Sequence, residues 1–188
     1  EVGIFEMGQK GLTEVINPSE LFLKEYNQTQ TPGSTIIVTS EGTRPLLIEL
    51  QALTSTSVFG IPKRTANGFD YNRLAVLIAV LEKRAGLALG GQDVYLNVVS
   101  GIKIVEPAVD LGVILACSSS YKNVSIPKDV VAIGEVGLTG EVRAVNMIEK
   151  RIKEAEKLGF KKCIIPESNK KLLKDEYKLD IIGVKNIN

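Results

Sequence analysis

Residues 107–119, "PAVDLGVILACSS", constrain this chain more than any other stretch. A proline stands where the first position of a helix would be, and the run after it is apolar apart from one acid, Asp110. Such a segment reads as a buried helix, not a surface one. The runs around it supply a sheet. "TIIVT" (35–39) and "PLLIELQAL" (45–53) read as strands around the turn "SEGTRP", and "DVYLNVVS" (93–100) as a further strand. "DYNRLAVLIAVLEKRAG" (70–86) reads as a helix with Asp70 as N-cap, basic residues in its last turn and Gly86 as its stop. "VVAIGEVGLTGEVRAV" (130–145) predicts two strands around "LTGE". A charged amphipathic helix over Met147–Leu158 follows, then the strand "KCIIP", a short helix over 168–174 and the strand "LDIIGV". Strands alternating with helices predict an α/β (α+β) sheet covered by helices. The N-terminal part reads as β-rich, with Val2–Met7 and Gly11–Ile16 as a hairpin pair. Asn17-Pro18-Ser19-Glu20 opens a short helical turn, and residues 54–69 read as a polar loop.

Composition narrows the chemistry. The 188 residues make about one domain, or one domain with an N-terminal extension. No apolar run reaches the ~18 residues that cross a bilayer. The chain has no histidine, which removes Ser-His-Asp and Cys-His catalysis and most zinc sites. A nucleophilic hydrolase would need serine or threonine with lysine as base. There is no Gly-x-x-x-x-Gly-Lys-Ser/Thr loop for a nucleotide. Cys117 and Cys163, each in an apolar run, fit buried thiols in a reducing compartment, and spacing alone does not decide whether they pair.

The net charge of +1 is unevenly spread. Residues 57–105 carry Lys63, Arg64, Arg73, Lys83, Arg84 and Lys103 against Asp70, Glu82 and Asp93. Lys63 and Arg64 lie in a Gly/Pro-bounded loop suited to reaching a phosphate backbone, and Arg73, one turn into the next helix, can face the same side. Lys63, Arg64, Arg73, Arg84 and Lys103 are therefore the candidate DNA-binding set, of the kind that gives sequence-independent affinity. A solvated basic face is the alternative. No aromatic residues interleave them, so base stacking is not indicated. Gly134, Gly137 and Gly140 read as turn glycines, and Ser118–Ser120 as the polar end of the apolar helix. Lys150, Arg151, Lys153 and Lys157, interspersed with Glu149, Glu154 and Glu156, read as a surface face stabilised by pairs along the helix.

The blocks "DVYLNVVSGIKIVEPAVDLGVILA", "VVAIGEVGLTGEVRAV" and "EKRIKEAEKLGFKKCIIPESN", in that order, resemble the proteolytic domain of Lon-type ATP-dependent proteases. They are more similar still to the Lon-like C-terminal domain of the RadA (Sms) family of bacterial DNA repair proteins. The resemblance covers nearly the whole chain and implies the Lon proteolytic-domain fold, with a mixed sheet flanked by helices. It implies that residues 1–30 link to an ATPase domain and that 31–188 form the Lon-like domain. Lon-type proteases carry a nucleophile in a Pro-Ser-Ala-Gly block, and here the matching block is Pro107-Ala108-Val109-Asp110. Their lysine base lies in a Gly-Gly-Leu-Lys block, matched here by Asn146-Met147-Ile148-Glu149. An alanine methyl has no lone pair to attack with, so the protease reading fails at Ala108 and again at Glu149.

For Asp110 three readings stay open. It can be a first-turn acid favoured by the helix dipole or a buried acid paired with a base such as Lys103, a contact across a subunit interface or to the ATPase domain, or a catalytic acid. The resemblance implies a non-catalytic module that binds DNA and organises a hexameric ring during branch migration of recombination intermediates. The alternatives are a pure oligomerisation scaffold and, less favoured, a Lon-type serine peptidase. The family relation further implies a cytoplasmic protein, with RecA and its filament as partner of the full-length protein and no membrane. ATP, magnesium and zinc belong to preceding domains, and the parent protein is a DNA-dependent ATPase.

Overall fold

Apolar runs and turn signals alternate along the chain, and the backbone follows them. The computed structural model describes residues 5–8, 11–15, 17–23, 31–58 and 60–188. A hairpin of β1 (Phe5–Gly8) and β2 (Gly11–Glu14) precedes a short helix, α1 (Pro18–Phe22). The body then runs β3 (Ser34–Glu41), β4 (Arg44–Thr56), β5 (Arg64–Asn67), α2 (Tyr71–Ala85) and β6 (Gln92–Val98). Two 3-10 turns, Val99–Gly101 and Pro107–Val109, lead into α3 (Asp110–Lys122). β7 (Val130–Ala132), β8 (Glu135–Val136), β9 (Val142–Arg143), α4 (Ile148–Lys157), β10 (Lys162–Pro166), α5 (Glu167–Lys170) and β11 (Asp180–Val184) complete it.

Seven strands form one mixed sheet in the order β11-β10-β7-β3-β4-β6-β5. β3–β4 and β4–β6 are antiparallel, and the other four pairings are parallel. β3 is buried from Ser34 through Thr39, as a strand covered on both faces must be. On one face the inward residues of β3, β4 and β6 meet α2 and α3: Ile37, Ile48, Leu50, Val94 and Leu96 pack with Leu74, Leu77, Val113 and Ile114. On the other, Ile36, Val38, Leu47, Val131 and Cys163 meet Ile148, Ile152 and Ala155 of α4. Leu23, just after α1, joins this second core. Cys117 and Cys163 lie in these two different cores as free thiols. Among the described residues no helix is long and apolar enough to cross a membrane.

α2 has the caps its sequence announces: the Asp70 side chain accepts from the Arg73 N–H, and Gly86 adopts φ 67°. α3 buries eight of its 13 residues, because α2 lies on one side of it and the sheet on the other. Gly112 lets it approach that closely, since a Cβ there would overlap Cγ2 of Ile37.

Several sequence expectations need correction. The expected loop over 54–69 contains the end of β4 and the whole of β5, an edge strand held by parallel pairing to β6. Residues 130–145 form three short strands, with β8 and β9 paired only to each other. The helix expected over 168–174 is the shorter α5. Ser119 and Ser120 lie inside α3: Ser119 Oγ accepts from Gly33 N–H at 2.8 Å, and Ser120 Oγ accepts from Thr54 N–H at 2.9 Å, tying the helix to β3 and β4. Gly140 is a turn glycine at φ 88°, whereas Gly134 makes room for Val142 and Leu111. In the expected N-terminal hairpin, Val2–Ile4 and Ile16 lie outside the described residues.

Candidate functional site

A residue that precedes proline is pushed to extended backbone, and Glu106 obeys, at φ −89° and ψ 140°. Its carboxylate thereby meets the end of β3. It accepts from Thr39 Oγ1 at 2.7 Å, Ser40 N–H at 2.5 Å and both terminal nitrogens of Arg151, at 3.0 and 2.6 Å. Arg151 is 2% exposed and also donates to the carbonyls of Val38 and Asn146. The expectation that Arg151 lies on a surface face of α4 is therefore corrected. Its partner comes from another element, as does that of Lys153, which pairs with Asp175 at 2.6 Å.

Four residues on, Asp110 opens α3 with no exposed surface. It accepts from Nε of Arg73 at 3.0 Å, from Nη2 of Arg73, and from Val136 N–H at 3.1 Å. Arg73 closes the loop by donating to the Val136 carbonyl at 2.9 Å. Burial pushes the Asp110 carboxyl above its ordinary value against the opposing pull of Arg73, and its hydrogen bond pushes Arg73 up. The partner of Asp110 is thus Arg73, not Lys103: α2 packs directly on α3 and presents Arg73 there, while Lys103 is exposed on a loop beside Gly68.

Between these two ion pairs lies Ala108, 5% exposed, its carbonyl accepting from Gly134 N–H at 2.7 Å. Glu149 is half-buried on α4, two positions before Arg151. Met147, just before α4, holds φ 56°, a left-handed conformation that a glycine at this place in the resembling Gly-Gly-Leu-Lys block would adopt freely. The two thiols are no substitute nucleophiles, since burial pushes both Cys117 and Cys163 up to about 12.

The five candidate DNA-binding residues are not one cluster. Arg64 is spent on protein carbonyls, donating to Leu89 at 3.0 Å, to Lys63 at 3.1 Å and to Gln92. Arg73 is spent on Asp110 and Val136. Lys63, Arg84 and Lys103 are exposed, and among the described residues their side chains have no hydrogen-bonding or ionic partner. Lys63 precedes β5, and Lys103 neighbours Ile104, whose N–H bonds Gly68 at the far end of β5. Arg84 lies against Gly140.

The structure also brings Tyr95 of β6 out beside β5, a residue passed over in the sequence. The alternation Asp93, Tyr95, Asn97 against Val94, Leu96, Val98 was the available signal.

Fold and site together define an α/β domain on a mixed seven-stranded sheet, with a helix entry clamped between two carboxylate–guanidinium pairs. Residues 50–169 match the family described as subunit ChlI of Mg-chelatase, and the chain belongs to that family. Over 187 residues it is 51% identical to the DNA repair protein RadA of Bacillus subtilis, 50% to that of Streptococcus pneumoniae and 49% to that of Halalkalibacterium halodurans. All of this chain is covered, but only 41%, 44% and 41% of those proteins, so it spans about two fifths of their length. The matched segment holds no Gly-x-x-x-x-Gly-Lys-Ser/Thr loop, and among the described residues no three His, Cys, Asp or Glu side chains gather as a metal site.

Proposed function

We propose that this chain is the Lon-like, non-catalytic domain of a RadA-type DNA repair and recombination protein, and that it binds DNA and helps organise a hexameric ring during branch migration. The observation that carries the reading is identity of about one half to DNA repair proteins over all of this chain. Geometry supports the non-catalytic part. Where a Lon-type protease carries its serine, a buried methyl sits between two ion pairs, and the residue of α4 that reaches this segment is a guanidinium already neutralised by Glu106. A guanidinium does not give up its proton near neutral pH and so cannot serve as a base.

DNA contact in this reading falls to Lys63, Lys103 and Arg84. Arg64 and Arg73 position backbone and helix instead. In the full-length protein a preceding ATPase supplies the work, with RecA filaments as the partner.

Two experiments test the proposal. Binding of this chain to labelled DNA of unrelated sequences should be insensitive to sequence and fall with salt, with a log–log slope of about −0.7 to −0.9 per phosphate contact. A slope near zero contradicts it. Peptide and casein substrates should remain uncut, and Ala108→Ser with Glu149→Lys should not restore turnover, because Asp110 and Arg73 still occupy the helix entry. Turnover by the unmodified chain, abolished by a serine-directed reagent, would return the protease reading.

A further inference from the structure

The helices cover the sheet unevenly. α4 and the end of α1 lie over β3, β7, β10 and the first half of β4, while among the described residues no helix covers the same face of β4's second half, β6 and β5. Register decides what that open face presents. Gln51, Asn97 and Asn67 form one row across the three strands, and Leu53, Tyr95 and Thr65 form the next. Asn67 Nδ2 donates to Asn97 Oδ1 at 2.7 Å, linking two carboxamides of the row. Leu53 is 61% and Tyr95 36% exposed. These rows line a groove of about 480 Å³, together with Thr31, Pro32 and Gly33.

We propose that this open face is a binding platform for the bases of single-stranded DNA. The inference rests on the DNA-binding reading above and names the form of DNA that this part of the molecule takes. The chemistry of the face selects that ligand. Among the described residues the groove lining carries no charged side chain, but it offers one exposed phenol ring, an adjacent leucine and a row of carboxamides. That combination stacks on a base face and bonds to a base edge. The cations stand outside the groove at its ends. Lys63 immediately precedes β5 at one end, and Lys103 is beside Gly68 at the other; five strand rises separate Lys63 from Gly68, about 17 Å.

Of the acids nearby, Glu49 is buried and bonded by Ser34 and Gln51, while Asp93 accepts from the Lys63 N–H and keeps its charge at that end of the groove, beside the Lys63 ammonium. A duplex keeps its bases stacked on one another and would offer this face nothing but its phosphates.

The test uses the 188-residue chain and two fluorescent probes, a short oligothymidylate and a duplex of the same length. Thermal melting shows that each variant folds. Tyr95→Ala should weaken oligothymidylate binding by about tenfold, the scale of one lost base–aromatic stack. Tyr95→Phe should keep the wild-type affinity, and neither change should alter duplex binding. Lys63→Glu with Lys103→Glu should weaken both probes.

Unchanged oligothymidylate affinity in Tyr95→Ala overturns the platform, while loss in the lysine variant alone leaves the broader DNA-binding reading standing. If the lysine variant binds both probes like wild type while Tyr95→Ala still loses the single strand, the platform stands and the assignment of phosphates to these lysines falls. If Tyr95→Ala shifts the sedimentation of the protein and leaves both probes bound as before, the face belongs to a second copy and the platform is overturned.

Discussion

Arg151 keeps only 2% of its surface exposed, and a single carboxylate, Glu106, neutralises it. Burial alone would raise the Glu106 carboxyl. The hydrogen bonds from Arg151 and Thr39 outweigh burial and hold it below its ordinary value of 4.5. A carboxylate depressed in the folded state contributes stability that is complete above the unfolded value and is lost as pH falls through the folded one. Glu106→Gln should therefore lower stability in urea by about 3 kcal/mol near neutral pH, the low end of the range for breaking a buried pair. It should also flatten the decline in stability expected of the wild type as falling pH protonates Glu106. Parallel pH profiles for the two proteins would mean that the pair carries no such role. Neither partner was legible as such in the sequence, because a charged residue on an amphipathic helix looks like surface unless its counter-ion, 45 positions away, is known. In the sequence Arg73 reads as a phosphate contact and Lys103 as the partner of Asp110; the available signal was that Arg73 stands four and eight residues before Leu77 and Leu81, on the stripe that α2 buries.

At the scale of elements, what the sequence announced by local chemistry formed where expected. Asp70 and Gly86 bracket α2, and the apolar runs of β3 and β4 pair in register from Ser34↔Gln51 to Glu41↔Arg44. What depended on distant partners was hidden. β5 reads Arg-Thr-Ala-Asn, without an apolar run, and exists because β6 lies alongside it. The approach of α3 to the sheet was equally hidden, since nothing near Gly112 says that Ile37 lies against it. Gly112→Ala tests that approach. Helix propensity alone favours alanine by about 1 kcal/mol, yet overlap with the β-branched Ile37 should reverse the sign and destabilise by about 1–3 kcal/mol. A gain in urea midpoint would show that α3 has slack over β3.

At the scale of the whole molecule, one face of the sheet is half covered, and the exposed cations Lys63, Lys103 and Arg84 stand near its open part or at the end of α2. The proposed ring requires contacts between unlike faces of neighbouring copies. Sedimentation of this chain should therefore show monomers giving way to hexamers as concentration rises, and a strictly monomeric mass at high concentration would assign ring formation to the rest of the longer protein. DNA binding is the centre of the account, and position must matter to it more than bulk charge. The direct measurement compares duplex binding at two salt concentrations for the wild type, Lys63→Glu with Lys103→Glu, and Lys150→Glu with Lys157→Glu, the last two carrying the same change in net charge. The account predicts a large loss and a shallower salt slope for the first pair, with a small loss for the pair on α4. Equal losses from the two variants would contradict it.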